Sequence, residues 1–353
     1  MSKQDVVICR KLADDLPETL GRFSYDKLFV LMDEHTERYC FPVVREYPCL
    51  KDAVTISVGA GDVHKNLSVL SDVWMHLSRE GATRHSLFIN LGGGMITDLG
   101  GFAAATFKRG IKCMNIPTTL LAMVDAAVGG KTGINFNGLK NEIGAFAPAC
   151  SVLIDCGFLK SLDHFNILSG YAEMLKHGLI SDETHWGRLI RFDMEKIDYN
   201  ALQDLVCESI SVKEKIVKMD PFEQGMRKAL NFGHTMGHAF ESFALAEDCP
   251  VLHGYAVAWG MVCELYFSYL KTGFPKDKLY QTVQFIKENY GKLNFTCKDY
   301  DRLYEFMKHD KKNLSAGTIN FTLLGEVGDI RINQTATRKE IDEMLDFYCD
   351  VMG

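Results

Sequence analysis

The chain has 353 residues, 47% of them hydrophobic and 24% charged, which is ordinary for a folded protein but long for one hydrophobic core. Its net charge of −7 is spread along the sequence without a long basic run, which argues against nucleic acid as a partner. No apolar run reaches the roughly 20 residues that cross a bilayer, so we expect no membrane partner.

Short β-branched or apolar segments alternate with longer helical stretches in the first part of the chain. The segments are KLFVLMD (27–33), VTISV (54–58), LFINL (87–91), CMNIP (113–117) and SVLID (151–155). This alternation is typical of a parallel sheet covered by helices. It predicts an α/β domain over residues 1–160.

The helical period dominates after residue 160. Apolar residues recur at three- and four-residue spacing in SGYAEMLKHGLI, ALQDLVCESISVKEKIVKM and GYAVAWGMVCELYFSYL. Near the end, TINFTLLGEVGDIRI alternates around a turn-forming glycine, which predicts a hairpin. We expect a mainly helical second domain over residues 161–353.

A glycine-rich stretch, GGGMITDLGGFAAATFKRG, follows the strand LFINL. Glycines at a strand end let the backbone approach a ligand, and the next helix offers free N–H groups to a phosphate. The spacing is not G-x-G-x-x-G, so a tight turn without a ligand stays an alternative. Asp33 ends an earlier strand, and Asp62 lies in a second glycine loop, SVGAGDVHKN. Acidic groups at such strand ends can hold ribose hydroxyls.

Polar residues interrupt the apolar segment MNIPTTLLAMVDAAVGGKTGINFNGLKNEIGAF. They are Thr118, Thr119, Asp125, Lys131, Lys140 and Asn141. Because buried charges are costly unless they are paired or bound to a ligand, this cluster favours a binding site. The alternative is a loop with solvated lysines.

Two histidines in HTMGH, His234 and His238, lie four residues apart and therefore on one helix face. This is a common spacing for two metal ligands. The alternative for any one histidine is a core or surface side chain, which we favour for His177 and His185.

Long motifs in this chain resemble the 3-dehydroquinate synthase family. They are the glycine-rich stretch, IPTTLLAMVDAAVGGKTGIN, KNEIGAF, YAEMLKHGLI, MRKALNFGHTMGHAFE and LHGYAVAWGM, in the family's order. The resemblance implies a shikimate-pathway enzyme that converts 3-deoxy-D-arabino-heptulosonate 7-phosphate to 3-dehydroquinate and phosphate. It also implies NAD and Zn²⁺, with Co²⁺ as a substitute metal. The implied fold is a Rossmann-like NAD-binding domain followed by a mainly α-helical metal-binding domain, in a homodimer with active sites between the domains.

The resemblance also assigns site residues. The implied metal ligands are Glu173, His234 and His253, which makes His238 a nearby polar or proton-handling residue. The implied cofactor-binding residues are Asp33, Asp62, Lys65, Gly93, Gly94, Asp98, Thr118, Thr119, Asp125, Lys131 and Lys140. The implied substrate-binding residues are Arg109, Lys131, Lys140, Asn141, Lys176, Lys213, Arg227, Asn231, His238 and Lys312. The implied catalytic residues are Lys131, Asn141, Lys176, His238 and Asp125.

Two positions depart from the family pattern. Asp62 stands where the family usually has glutamate, and its side chain is one methylene shorter, so the ribose contact does not carry over unchanged. The segment MDPFEQG keeps only Asp220 of an acidic pair, and we expect a local loop change there.

Three other functions share features with this sequence. Related sugar-phosphate cyclases use the same scaffold, but the cations and amides retained here favour dehydroquinate synthesis. Metal-dependent polyol dehydrogenases would release NADH and need fewer phosphate-directed cations. A non-catalytic nucleotide-binding protein would not retain all three implied metal ligands. The 11 scattered cysteines form no C-x-x-C pair and are typical of reduced thiols in a cytoplasmic protein.

Overall fold

The computed structural model describes residues 4–308 and 319–353, which divide into two compact units. The first unit ends at Asp163 and the second begins at His164. In the described ranges, every helix is too short or too polar to cross a membrane.

A six-stranded parallel sheet forms the first unit together with flanking helices. The strands of this unit are β1 (Asp5–Ile8), β2 (Leu28–Asp33), β3 (Val54–Val58), β4 (Leu87–Gly92), β5 (Lys112–Pro117), β6 (Lys131–Phe136), β7 (Leu139–Phe146) and β8 (Ser151–Ile154). The helices are α1 (Leu12–Gly21), α2 (Glu34–Tyr39), α3 (Phe41–Val44), α4 (Leu67–Arg79) and α5 (Gly94–Thr106). The parallel sheet has the order β1-β8-β5-β4-β2-β3. The five predicted strands and their parallel arrangement are confirmed. Strand β1, which pairs with β8, was not predicted.

The central strands β2 and β4 are buried along almost their whole length. Strands that are covered on both faces have nearly continuous apolar sequences, which is why LFVLM and LFINL could be predicted as strands. They are neighbours, with Leu28 paired to Leu87 and Leu31 to Asn90. From β2 the chain continues to β3 on one side, and from β4 to β5 on the other. The carboxyl ends of β2 and β4 therefore form the switch point where open α/β sheets bind ligands.

Strands β6 and β7 form an antiparallel hairpin within the predicted polar cluster. This hairpin was not predicted from the sequence. Asn137 and Gly138 connect the strands with φ of 50° and 79°, as a two-residue turn requires. The signal was the dipeptide Asn-Gly between two apolar residues.

The second unit is mainly helical. Its helices are α6 (His164–Ser181), α7 (Glu183–Leu189), α8 (Tyr199–Met219), α9 (His234–Ala246), α10 (His253–Thr272), α11 (Lys276–Tyr290), α12 (Tyr300–Lys308) and α13 (Arg338–Met352). Strands β9 (Asn320–Glu326) and β10 (Asp329–Thr335) pair antiparallel. The three predicted helices and the late hairpin are confirmed.

Helix α10 approaches its neighbours through glycines. A Cβ atom at Gly254 would lie 1.9 Å from the Ser169 carbonyl oxygen in α6. A Cβ at Gly260 would lie 2.0 Å from the Gly233 carbonyl oxygen, just before α9. The backbones of α6 and α9 therefore pack directly on α10, which a side chain at either glycine would prevent.

Candidate active site

Three side chains of the second unit converge on one point. Glu173 lies within α6, while His234 and His253 are the first residues of α9 and α10. The Nε2 atoms of His234 and His253 lie 3.3 Å and 3.5 Å from Glu173 Oε1. One ligand atom from each residue lies within 4.8 Å of the other two. One carboxylate and two imidazoles form a ligand set that catalytic zinc sites use.

The environment of Glu173 fits a divalent cation. Its Oε1 is buried, and no donor among the described residues forms a hydrogen bond with it. Its Oε2 accepts a hydrogen bond from Lys176 Nζ. Burial raises the pKa of Glu173, but Lys176 and His234 outweigh it and hold the pKa well below its usual range. The carboxylate is therefore ionised at neutral pH, with one oxygen facing two imidazole nitrogens.

Hydrogen-bond acceptors orient both imidazoles. His234 Nδ1 lies 3.1 Å from the Phe232 carbonyl oxygen, which can only accept, so Nδ1 carries the proton. His253 Nδ1 lies 3.5 Å from Glu241 Oε2. In this arrangement the Nε2 atoms face Glu173, and each would bind a metal ion after it has lost its proton. Burial lowers the pKa of His253, but Glu173 and Glu241 reverse that shift and raise it to about 10.

Glu241 is a site residue that was not predicted from the sequence. It lies seven residues after His234 in HTMGHAFE, about two helical turns along the same face of α9. That spacing was the available signal. Its partner His253 comes from another helix, so the contact depends on tertiary structure.

His238 lies beside the cluster. Its ring centroid is 5.5 Å from that of His234 and 6.0 Å from that of His253. Among the described residues, the candidate metal-holding group that contains His234 includes Glu173 and His253 but not His238. The structure therefore groups His234 with histidine and glutamate from other helices rather than with its neighbour in HTMGH.

Three predicted cations of the second unit are buried. Lys176, Lys213 and Arg227 are only 1%, 5% and 2% exposed. Arg227 Nη1 donates to the Pro221 carbonyl oxygen at 2.6 Å. Asp220, the acidic residue kept in MDPFEQG, accepts hydrogen bonds from the N–H groups of Gly225 and Arg227. Asp220 thus orders the loop that carries Arg227.

Two other predicted substrate-binding residues of the second unit are Asn231 and Lys312. Asn231 Nδ2 donates to Glu223 Oε1 at 2.8 Å, in the turn that precedes α9. Lys312 and its alternative Lys311 lie outside the described residues, so their contacts stay a prediction.

A polar network in the first unit brings together five predicted residues. Lys65 Nζ donates to Asp98 Oδ2 at 3.1 Å and to Asn141 Oδ1 at 2.6 Å. It also lies 3.5 Å from Asp62, whose other oxygen is 3.8 Å from Lys140 Nζ. Burial lowers the pKa of Lys65, but Asp98 and Asp62 outweigh it and raise the pKa above its usual value. Lys65 is therefore a fixed, buried positive charge.

Replacement of Lys65 by methionine tests this ion pair. The Lys65 and Asp98 side chains are 6% and 19% exposed, so the variant leaves a largely buried carboxylate without its partner. We expect the free energy of unfolding to fall by about 2 kcal/mol near neutral pH. Burial already raises the pKa of Asp98 against the influence of Lys65, and losing Lys65 raises it further. The folded state then binds more protons, so the penalty shrinks as the pH falls toward 3.8, the ordinary aspartate value.

Urea unfolding at several pH values measures this penalty. The double variant Lys65→Met, Asp98→Asn removes both charges and should recover most of the loss. A penalty that is independent of pH, or one that the double variant does not reduce, would contradict the ion-pair explanation.

The glycine loop lies at the switch point of the sheet. Gly93 precedes α5, whose first turn contains no acidic residue and no side-chain cap. Thr118 N donates to the Gly92 carbonyl oxygen at 3.0 Å, and a Cβ at Gly93 would lie 3.1 Å from the Thr119 side chain. N–H groups at the start of a 13-residue helix that has no side-chain cap fit a pyrophosphate.

Other predicted residues of the first unit border the loop or lie apart from it. Asp33 ends β2 at the same switch point. Its side chain caps α2 by accepting a hydrogen bond from Thr36 N. Asp125 lies in the π-helical turn Ala122–Ala126, where a Cβ at Gly94 would come within 3.2 Å of the Ala126 side chain. Lys131 starts β6 and is exposed. Arg109 follows the far end of α5, roughly 20 Å along the helix from Gly94.

Two family models match most of the chain. One, described as 3-dehydroquinate synthase N-terminal, matches residues 55–169. The other, described as 3-dehydroquinate synthase C-terminal, matches residues 170–313. A 3-dehydroquinate synthase from Parabacteroides distasonis is 58% identical over 353 residues, the whole of both chains. One from Oceanobacillus iheyensis is 38% identical over 308 residues, or 87% of this chain and 84% of that protein.

Solved structures share the fold at lower identity. A 2-deoxy-scyllo-inosose synthase complexed with carbaglucose-6-phosphate, NAD⁺ and Co²⁺ matches with a TM-score of 0.85 and 22% identity, over 97% of this chain and 95% of that chain. A 2-epi-5-epi-valiolone synthase from Streptomyces hygroscopicus with NAD⁺ and Zn²⁺ bound matches with a TM-score of 0.85 and 24% identity, over 99% and 98%. The predicted fold class is confirmed.

Proposed function

Since the chain belongs to the 3-dehydroquinate synthase family, we propose that Glu173, His234 and His253 hold a divalent metal ion, Zn²⁺ or Co²⁺, and that the first unit binds NAD. The enzyme converts 3-deoxy-D-arabino-heptulosonate 7-phosphate to 3-dehydroquinate and phosphate. The observation that carries the metal proposal is the convergence of three ligand atoms within 4.8 Å. When bound, the metal supplies a Lewis acid and NAD a reversible hydride acceptor, so the reaction has no net redox change.

Support for NAD comes from the first unit and from the solved cyclases. The glycine loop lies at the sheet's switch point, and α5 begins there without a local cap. Two cyclases that share this fold were crystallised with NAD⁺ and a divalent metal. We assign the pyrophosphate of NAD to Gly93 and Gly94. We assign the neighbouring contacts with NAD to the other predicted cofactor residues, including Thr118 and Thr119.

We assign the predicted cations to the substrate's phosphate and carboxylate. Lys176, Lys213 and Arg227 are held nearly out of solvent, where a fixed cation attracts an anion more strongly than at the surface. Arginine offers a planar fork of donors and lysine a compact charge, so the set suits both anionic groups. The same assignment includes Arg109, Lys131, Lys140 and Lys312, with Asn141 and Asn231 as neutral partners.

His238 is proposed to handle protons at a substrate hydroxyl. It lies beside both ligand imidazoles without belonging to their group. Asp125 is proposed to accept a hydrogen bond from a substrate hydroxyl or from Lys131. Oxidation of a substrate hydroxyl to a ketone acidifies the neighbouring C–H bond, and loss of that proton expels phosphate from the next carbon, with the substrate's own phosphate assisting as base. Re-reduction of the ketone, ring opening and an intramolecular aldol step then give dehydroquinate.

An assay with one substrate tests the proposal. Purified protein with NAD⁺, Zn²⁺ and the heptulosonate phosphate should release phosphate, form dehydroquinate and show no net rise in NADH absorbance. Removal of the metal with a chelator should abolish both products, and Zn²⁺ or Co²⁺ should restore them. Phosphate release only from a different sugar phosphate would favour another cyclase activity. Steady NADH formation from a polyol would favour a dehydrogenase.

Two further properties are part of the proposal. A homodimer is supported by the resemblance and by four large apolar side chains that the β6–β7 hairpin exposes: Phe136, Leu139, Ile143 and Phe146. A cytoplasmic location is supported by the eleven cysteines, all of which are free. Light scattering on the purified protein would give twice the 39.7 kDa chain mass for a dimer.

A further inference from the structure

Helix α9 begins at the ligand His234 without a local cap. Its N-cap residue is Gly233, which has no side chain to accept a hydrogen bond from the first turn. Those N–H groups need acceptors, because an unpaired buried donor destabilises the fold. Any side chain at position 233 would be strained, since φ is +78° and a Cβ would lie 2.5 Å from Met261 Cγ. The cap must therefore come from another part of the chain.

Glu264 of α10 supplies it. This glutamate is 0% exposed. Its Oε2 accepts a hydrogen bond from Gly233 N at 2.7 Å, and its Oε1 accepts from Thr235 N at 3.0 Å and from Met236 N at 3.2 Å. The carboxylate thus spans the start of α9, where the helix dipole favours a negative charge.

Glu264 also connects the two imidazoles of the cluster. It lies on α10 about three turns after His253, the first residue of the same helix. Its carboxylate accepts hydrogen bonds from the backbone N–H groups of Gly233 and Thr235, the residues directly before and after His234. A shift of the α9 start relative to α10 would therefore break these bonds and change the separation of the two Nε2 atoms.

We infer that Glu264 is a positioning residue of the metal centre, which holds His234 in place relative to His253 by capping α9. The inference rests on the proposed metal site. Its consequence is that the two imidazoles are held at their spacing before the metal binds, so the ion does not have to order the first turn of α9. A role in stability alone would leave metal affinity unchanged.

The variant Glu264→Gln tests the inference. Glutamine keeps the size but replaces one accepting oxygen with an NH₂ donor, so the side chain loses at least one hydrogen bond to the α9 backbone. We expect affinity for Zn²⁺, measured by chelator competition, to fall about 10-fold or more. The visible spectrum of the Co²⁺ form should also change, since it reports ligand geometry.

Ser268→Ala is the matched control. Ser268 is also fully buried on α10, one turn after Glu264, and its Oγ donates to the Glu264 carbonyl oxygen and accepts from Leu324 N. This variant should lower the Tm without changing Zn²⁺ affinity. If Glu264→Gln binds Zn²⁺ as tightly as the unaltered protein, the inference is wrong. If the unaltered protein binds no Zn²⁺, the proposed metal site itself fails.

Hydrogen exchange gives a second measurement that needs no variant. In the metal-free protein, peptides that contain Thr235 and Met236 should exchange slowly, because Glu264 already holds both amides. First-turn amides without such a cap exchange quickly. Fast exchange that slows only after Zn²⁺ is added would overturn the inference even if Glu264→Gln did not fold.

Discussion

His253→Ala is expected to purify without bound metal and to lose at least about 1,000-fold in activity, or about 4 kcal/mol of transition-state stabilisation. The variant removes one of two imidazoles whose Nε2 atoms face Glu173 Oε1, the buried oxygen without a hydrogen bond among the described residues. Two remaining ligand atoms hold a divalent ion far more weakly than three. Metal content by elemental mass spectrometry, with activity measured before and after added Zn²⁺, checks the prediction.

His238→Ala is the matched control for this experiment. It removes an imidazole of the same cluster, whose ring centroid lies 6.0 Å from that of His253. The proposed ligand set excludes His238, so the variant should retain its metal and lose activity only. The opposite result, with metal lost in His238→Ala and kept in His253→Ala, would restore the two-ligand interpretation of HTMGH.

Gly254→Ala is expected to lower the free energy of unfolding of the second unit by about 3 kcal/mol or more. A Cβ at this position would lie 1.9 Å from the Ser169 carbonyl oxygen and 2.5 Å from Ser169 Cα. Both are backbone atoms, so a side-chain rotation cannot relieve the clash and α10 must move away from α6. Gly254 follows His253, and Ser169 lies one turn before Glu173, so metal affinity should fall as well. The Tm should decrease by about 6 °C or more.

Gly21→Ala provides the comparison for the same chemical change. Gly21 is the last residue of α1, and a Cβ there would have nothing within 4 Å. Alanine restricts the unfolded chain more than glycine does, so this variant should be neutral or more stable by up to about 1 kcal/mol. Equal Tm values for the two variants would show that α6 and α10 tolerate the added methyl group.

The hairpin of the first unit shows where prediction from the sequence was incomplete. The segment 114–146 was recognised as chemically unusual, yet its apolar residues and lysines were interpreted without the turn at Asn137 and Gly138. The hairpin places Lys131, Lys140 and Asn141 on two paired strands. Polar composition favoured a binding site there, but strand pairing decided which side chains lie together.

The metal cluster shows the same division in the second unit. Spacing alone paired His234 with His238, because four residues bring side chains to one helix face. Only the resemblance to a known family brought His253 and Glu173 to His234. Glu241 and Glu264 were missed because each acts on a residue of another helix, at a sequence separation that no local pattern encodes.

The sequence by itself determined many elements of this protein: five of the six parallel strands, the three longest helices, the late hairpin and the glycine loop. Each of these depends on local periodicity or on the conformational freedom of single residues, which a short window of sequence contains. Tertiary structure alone decided which elements are neighbours, and therefore which imidazole faces Glu173 and which carboxylate caps α9. Such contacts depend on the close packing of distant backbones, here at Gly254 and Gly260, and packing is a property of the folded chain.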